Sequence, residues 1–212
     1  VCLDRGDITF WERAKAVLVF KDQIESERGI SLSVPELAKE LKVKGLNYGI
    51  RMVQNFIFAL DNLQPIGPWI KSREVNDTIR PYIVSLFDIS NKLDKKDAVS
   101  NALQEILLMH GKDHEATELA NKDLEEVERK TPQIDVESLL TDLKSVTAKA
   151  LGVSVESISP MVSAFTANPR ISASELRAVD RNAQTVVART PRSANPPAKA
   201  PVSSAPSLQA PL

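Results

Sequence analysis

Cysteine is almost missing from this sequence. Cys2 is the only one among 212 residues, so no internal disulfide is possible, which favours a reducing compartment. No histidine lies near Cys2 in sequence, so it lacks the partner of a catalytic thiol. Glycine is scarce at seven residues, and neither G-x-x-x-x-G-K-[ST] nor G-x-G-x-x-G occurs, which removes phosphate-cradling loops. Aromatic residues are few, at 5%, although the 42% hydrophobic content supports a packed core. No apolar run approaches the roughly 20 residues of a membrane span. The N-terminus lacks the basic and apolar regions of a signal peptide. It starts at Val1 rather than methionine, and the chain is read as the downstream piece of a longer protein. An excess of one charge is missing too: 27 Lys and Arg against 28 Asp and Glu leave a net charge of -1. A generally basic coat is excluded, so any attraction to nucleic acid must come from a local patch.

Helix punctuation is what the first hundred residues do have. Thr9-Phe10-Trp11-Glu12 fits a capping box, followed by Phe10, Ala14, Val17, Leu18 and Ile24 at helical spacing and a stop at Gly29. Ser33-Val34-Pro35-Glu36 is a second capping box, with proline inside the first turn and an apolar stripe of Leu37, Ala38 and Leu41. Gly45 ends that helix, and Asn47 is expected to cap a third one with Ile50, Val53, Ile57 and Leu60 facing inward. Pro65, Gly67 and Pro68 close the unit.

The remainder also reads as helical. Helices are expected from Pro81 to about Leu93, from Asp97 to Met109, from Glu115 to Lys130, from Asp135 to Leu151, from Val155 to Phe165, and from Ser174 to about Val187. The Glu115 to Lys130 stretch carries Glu118, Asp123, Glu125, Glu126 and Glu128; a solvated helix explains it, as does a surface for a basic partner. Val136, Leu139, Leu140, Leu143 and Val146 form a stripe that serves either self-association or bundle closure. With no alternating strand pattern anywhere, the expected class is all-α, a multi-helix bundle. The organisation divides into 1–93, 94–187 and a Pro/Ala/Ser-rich tail over 188–212, which is expected to be disordered.

Smaller features point to no chemistry. His110 and His114 stand at i, i+4, but Gly111 between them is expected to break the helix, and no HExxH pattern occurs. Two solvated loop histidines and no metal site are expected. Trp11 and Trp69 are read as core anchors.

The third helix carries the functional question. A step of about 100° per residue, with Ile50 and Val53 inward, puts Tyr48, Arg51, Met52 and Asn55 outward, with Asn47 and Gln54 at the margins. Arg suits guanine and Asn or Gln suits adenine, so Asn47, Tyr48, Arg51, Gln54 and Asn55 are the candidate base contacts. Lys39, Lys42 and Lys44 face only Glu40 in the same interval and, with Arg13, are the candidate phosphate contacts. The same pattern also fits two core helices of an ordinary bundle, and the turn VKGLN is longer than a minimal helix-turn-helix turn.

The run from Ile8 to about Leu93 resembles the central region of ParB-type partition proteins, especially the class carried by integrating conjugative elements. The resemblance rests on Phe10-Trp11-Glu12-Arg13-Ala14, on Leu32-Ser33 with Glu36-Leu37-Ala38, and on Gly45. Leu63 with Pro65 and the Arg80-Pro81 helix start complete it. It implies a helix-turn-helix that binds double-stranded DNA at a centromere-like site for chromosome, plasmid or mobile-element partition. It implies further a homodimer, a partition ATPase as partner, and a cytoplasmic, nucleoid-associated location. ParB-type proteins also carry a CTP-binding domain with arginine-rich motifs. No such motif occurs here, so no nucleotide, cofactor or catalytic activity is expected of this chain. The alternatives are a helix-turn-helix transcriptional regulator and a helical protein-interaction module without DNA binding.

Overall fold

A computed structural model describes residues 8–120 and 133–189, with side chains described to 119 and over 133–183. Every regular element among them is helical. The 121–132 segment, which holds most of the expected acidic helix, and the 190–212 tail lie outside the described residues.

The first helix, α1 (Phe10–Arg28), starts as its sequence dictates. The Thr9 amide donates to Glu12 Oε2 at 2.9 Å, and the Glu12 amide donates back to Thr9 Oγ1 at 3.2 Å. It ends at Gly29, whose φ of 64° is left-handed and whose amide closes on the Glu25 carbonyl. The Glu25 carboxylate then takes the Leu32 amide at 2.6 Å, fixing the path into α2 (Val34–Val43). Arg28 forks onto Glu40 at 2.7 and 3.2 Å and ties the two helices together. Leu37, Ala38 and Leu41 of α2 are buried, as their spacing requires.

The six-residue connection 44–49 turns through Gly45 at φ 84°, with the Leu46 amide bonded to the Leu41 carbonyl. It leads into α3 (Ile50–Asn62), capped by Gly49 rather than by Asn47. The inward stripe of α3 is Val53, Phe56 and Ala59, joined by Asn55. The expected stripe is therefore rotated: Ile50 is 48% exposed, and Ile57 and Leu60 are half-buried. The helix is apolar on several sides. Phe56 wins because its large ring meets Phe10 of α1 and Tyr48 of the turn, each at 5.2 Å between centroids.

A 3-10 helix, Gln64–Trp69, follows, and Gly67 within it lies hard against the Trp11 ring, where a side chain would collide. Beyond it come the single turn α4 (Ser72–Glu74), a π-helical segment Val75–Ile79, and α5 (Arg80–Lys92). Next is α6 (Lys96–Ala120), which runs straight through Gly111. The expected break there does not occur. Gly111 is buried against the Pro65 carbonyl, so its missing Cβ permits close approach to the 3-10 helix.

That approach redefines the histidines, which are not loop residues. Nε2 of His110 lies 2.9 Å from the Asp142 carboxylate, and His114 stacks on Trp69 at 5.6 Å. Trp69 in turn donates to Glu118 at 3.3 Å. Among the described residues no group of three or more His, Cys, Asp or Glu is placed to hold a metal.

The last helices are α7 (Val136–Leu151), α8 (Val155–Ala167) and α9 (Ala173–Arg189). Asp135 caps α7, and Leu139, Leu143 and Leu151 are buried where α7 packs on α6 and α8. Of the α7 stripe, Leu139 and Leu143 thus help close the bundle, while Val136, Leu140 and Val146 are only half-buried. Buried side chains from Phe10 to Leu176 form one continuous core. Among the described residues no single helix is long and apolar enough to cross a membrane.

Candidate nucleic-acid interface

The start of α3 has no side-chain cap, because Gly49 offers none. Its first amides lack intrahelical acceptors, which is the condition that favours an anion at a helix N-terminus. Asn47 is exposed in the turn ahead of it. Arg51 and Gln54 are exposed one turn apart on α3 itself, with the Arg51 side chain at 71% relative exposure. Arg51 and Gln54, three residues apart, share a side of α3, and Asn47 lies in the turn before it.

Two other candidates behave differently. Tyr48 is half-buried, its ring edge-on to Phe56 at 86°. Asn55 is 1% exposed and fully engaged: its Oδ1 accepts from Arg80 Nη1 at 2.9 Å and its Nδ2 donates to Asn76 Oδ1 at 3.1 Å. Asn55 as a base contact is thus corrected. The rotation of α3 that buries Phe56 also turns Asn55 into the protein, where a buried amide requires partners and finds two.

Lys39, Lys42 and Lys44 are exposed and, among the described residues, in no ion pair. The acid between them, Glu40, is engaged by Arg28, whose hydrogen bond holds its carboxyl below the usual carboxylate range. A paired Glu40 opposes the lysines less than a free one would, so the patch stays cationic. Arg13 stands apart from them. It is half-buried on α1, lining a cavity with Tyr48, Met52 and Trp69.

The fold also supplies residues that the sequence reading passed over. The segment after the 3-10 helix lies beside α3, so Gly49, Arg51, Asn55, Arg73, Asn76 and Asp77 border one groove of about 530 Å³. Asp77 sits 3.9 Å from Arg51 and 3.8 Å from Arg73, whose side chain is 93% exposed. Asn76 bonds to Asp77, so one chain of contacts runs from Arg80 through Asn55, Asn76 and Asp77 to the two arginines. The π-helical turn makes this possible, since its wider winding brings Asn76 and Asp77 beside α3; such turns recur at functional sites. The cluster Lys71-Ser72-Arg73 was the only linear signal, and nothing in its spacing shows that it lies next to residue 51.

No protein-family model, no curated protein and no solved structure matches this chain.

Proposed function

We propose that this chain binds double-stranded DNA and reads a specific site with the exposed face of α3. The observation that carries the reading is the uncapped α3 start, bordered by Asn47, Arg51 and Gln54 and accompanied by Lys39, Lys42 and Lys44, which make no ion pair among the described residues. Arg51 suits guanine O6 and N7, Gln54 and Asn47 suit adenine, and the free amides suit a phosphate. Lys39, Lys42 and Lys44 supply phosphate attraction without base preference. Arg73 joins them from across the groove. Within this reading the resemblance of residues 8–93 to ParB-type proteins makes the site centromere-like and the role partition of a chromosome, plasmid or integrating conjugative element. A homodimer and a partition ATPase are its proposed partners, with the nucleoid as its place of action. No catalysis is part of the proposal.

Fluorescence anisotropy with mixed duplexes at two salt concentrations tests it. Replacing Arg51 by Ala should cost about 1–3 kcal/mol at one base pair and relax preference there. Lys42→Ala should weaken all sequences alike and lower the salt slope by about 1. Absence of salt-sensitive binding at low ionic strength would replace the proposal with a protein-interaction bundle. A transcriptional regulator would use the same face; a partition ATPase gene beside the coding sequence favours segregation over regulation.

A further inference from the structure

The cavity behind the α3 start is built differently from the groove in front of it. It measures about 380 Å³, within the range of small-molecule sites, and is walled by Phe10, Tyr48, Met52, Phe56, Trp69 and Ile70. Two cations border the cavity, half-buried Arg13 and exposed Lys71, and no acidic side chain lines it among the described residues. Lys71 Nζ is held by the neutral Gln133 Oε1 at 2.6 Å. Arg13 has no ion-pair partner among the described residues, and its Nε is buried with no acceptor. Burying a guanidinium nitrogen without an acceptor costs free energy, which marks Arg13 as a cation the protein itself leaves unsatisfied.

From this combination we propose that the cavity is a binding site for a small monocarboxylate with an apolar body. The carboxylate meets the planar fork of Arg13, with Lys71 adding charge, and the hydrocarbon or aromatic part packs against Phe10, Met52 and Trp69. An inorganic dianion would leave the apolar wall of Phe10, Met52, Phe56 and Ile70 without a partner. A neutral apolar molecule would leave Arg13 unsatisfied. The site is independent of DNA binding and is read on the chain alone.

The probe is 3-phenylpropanoate, titrated into the whole chain with tryptophan fluorescence, to which Trp69 in the cavity wall contributes, and calorimetry as readouts. Saturable binding at about 1 mM or below is expected, with the neutral 3-phenylpropanamide at least about tenfold weaker. Arg13→Met, which keeps the apolar stem, should weaken the carboxylate about tenfold while leaving the amide unchanged. Arg13→Lys keeps the charge but loses the fork and should fall between the two. Lys71→Gln, an exposed position, guards against a misfolded Arg13 variant and should weaken the carboxylate about threefold. Failure of the carboxylate to saturate would overturn the proposal. So would equal affinity for acid and amide, or carboxylate affinity unchanged in both Arg13→Met and Lys71→Gln.

Discussion

Replacing Asn55 by Ala separates an interior role from a reading role. The side chain is 1% exposed and makes two hydrogen bonds, one of them to a guanidinium. A neutral hydrogen bond is worth about 0.5–1.5 kcal/mol net, and one to a charged group about 1.5–3. Their simple sum runs from about 2 to 4.5 kcal/mol. Arg80 is only half-buried, so after truncation it can turn toward water and recover part of its solvation. That pulls the expected loss to about 2 kcal/mol, or roughly 4–8 °C in Tm for a chain of this size. Asn55→Asp keeps an acceptor for Arg80 and loses only the donor to Asn76, so its loss should be smaller than that of Asn55→Ala. Urea unfolding of both variants, and of Asn76→Ala alone and combined, measures the coupling. A change below about 0.5 kcal/mol in Asn55→Ala would refute the reasoning, because a fully buried and paired amide cannot be that dispensable.

Gly111→Ala sets two effects against each other. Helix propensity favours Ala by about 1 kcal/mol, while crowding the Pro65 carbonyl costs about 1–3. The obstacle is backbone and cannot swing aside, so a net loss of about 1 kcal/mol is expected in urea unfolding, and a stabilised variant would contradict this packing. Burial first, and then neighbouring His110, holds the His114 pKa below its ordinary 6.5, against Asp113. The unfolded chain therefore binds the proton more readily, so stability is full above 6.5 and is lost as pH falls through the lowered folded value. Melting curves across that window should show a decline that His114→Gln flattens. The carboxyls of Glu12, Glu36 and Glu175, lowered by hydrogen bonds from Thr9, Ser33 and Ser172, act separately below 4.5. Asp77→Asn should leave stability within about 0.5 kcal/mol, since its two arginine partners are exposed and the new amide oxygen can still accept from Asn76. It should also tighten DNA about two- to threefold by removing the one acid that borders the groove among the described residues. Anisotropy titrations showing weaker binding would instead mean that Asp77 holds Arg51 in place.

Local grammar was legible wherever a signal and its effect lie within a few residues. The capping boxes at Thr9 and Ser33, the stop at Gly29 and the buried stripe of Leu37, Ala38 and Leu41 all stand as read. So does the class, every regular element among the described residues being helical. Gly111 was misread because glycine's weak helix propensity is a local penalty, and the packing of α6 on the 3-10 helix outweighs it. The candidate interface was half legible: Arg51, Gln54 and the α2 lysines are exposed, whereas Asn55 is interior.

Capping, spacing and composition thus determined by themselves where most helices begin and that the chain is built from helices, because these depend on side chains bonding to backbone three or four residues away. Only the tertiary structure decided which side of α3 faces inward. That helix offers several nearly equivalent apolar stripes, and Phe56 could be preferred only once Phe10 and Tyr48 had been brought to it from outside the helix. The same assembly set Asp77 and Arg73 beside Arg51 and placed Arg13 in the wall of a largely apolar cavity, relations between distant residues that no local pattern encodes.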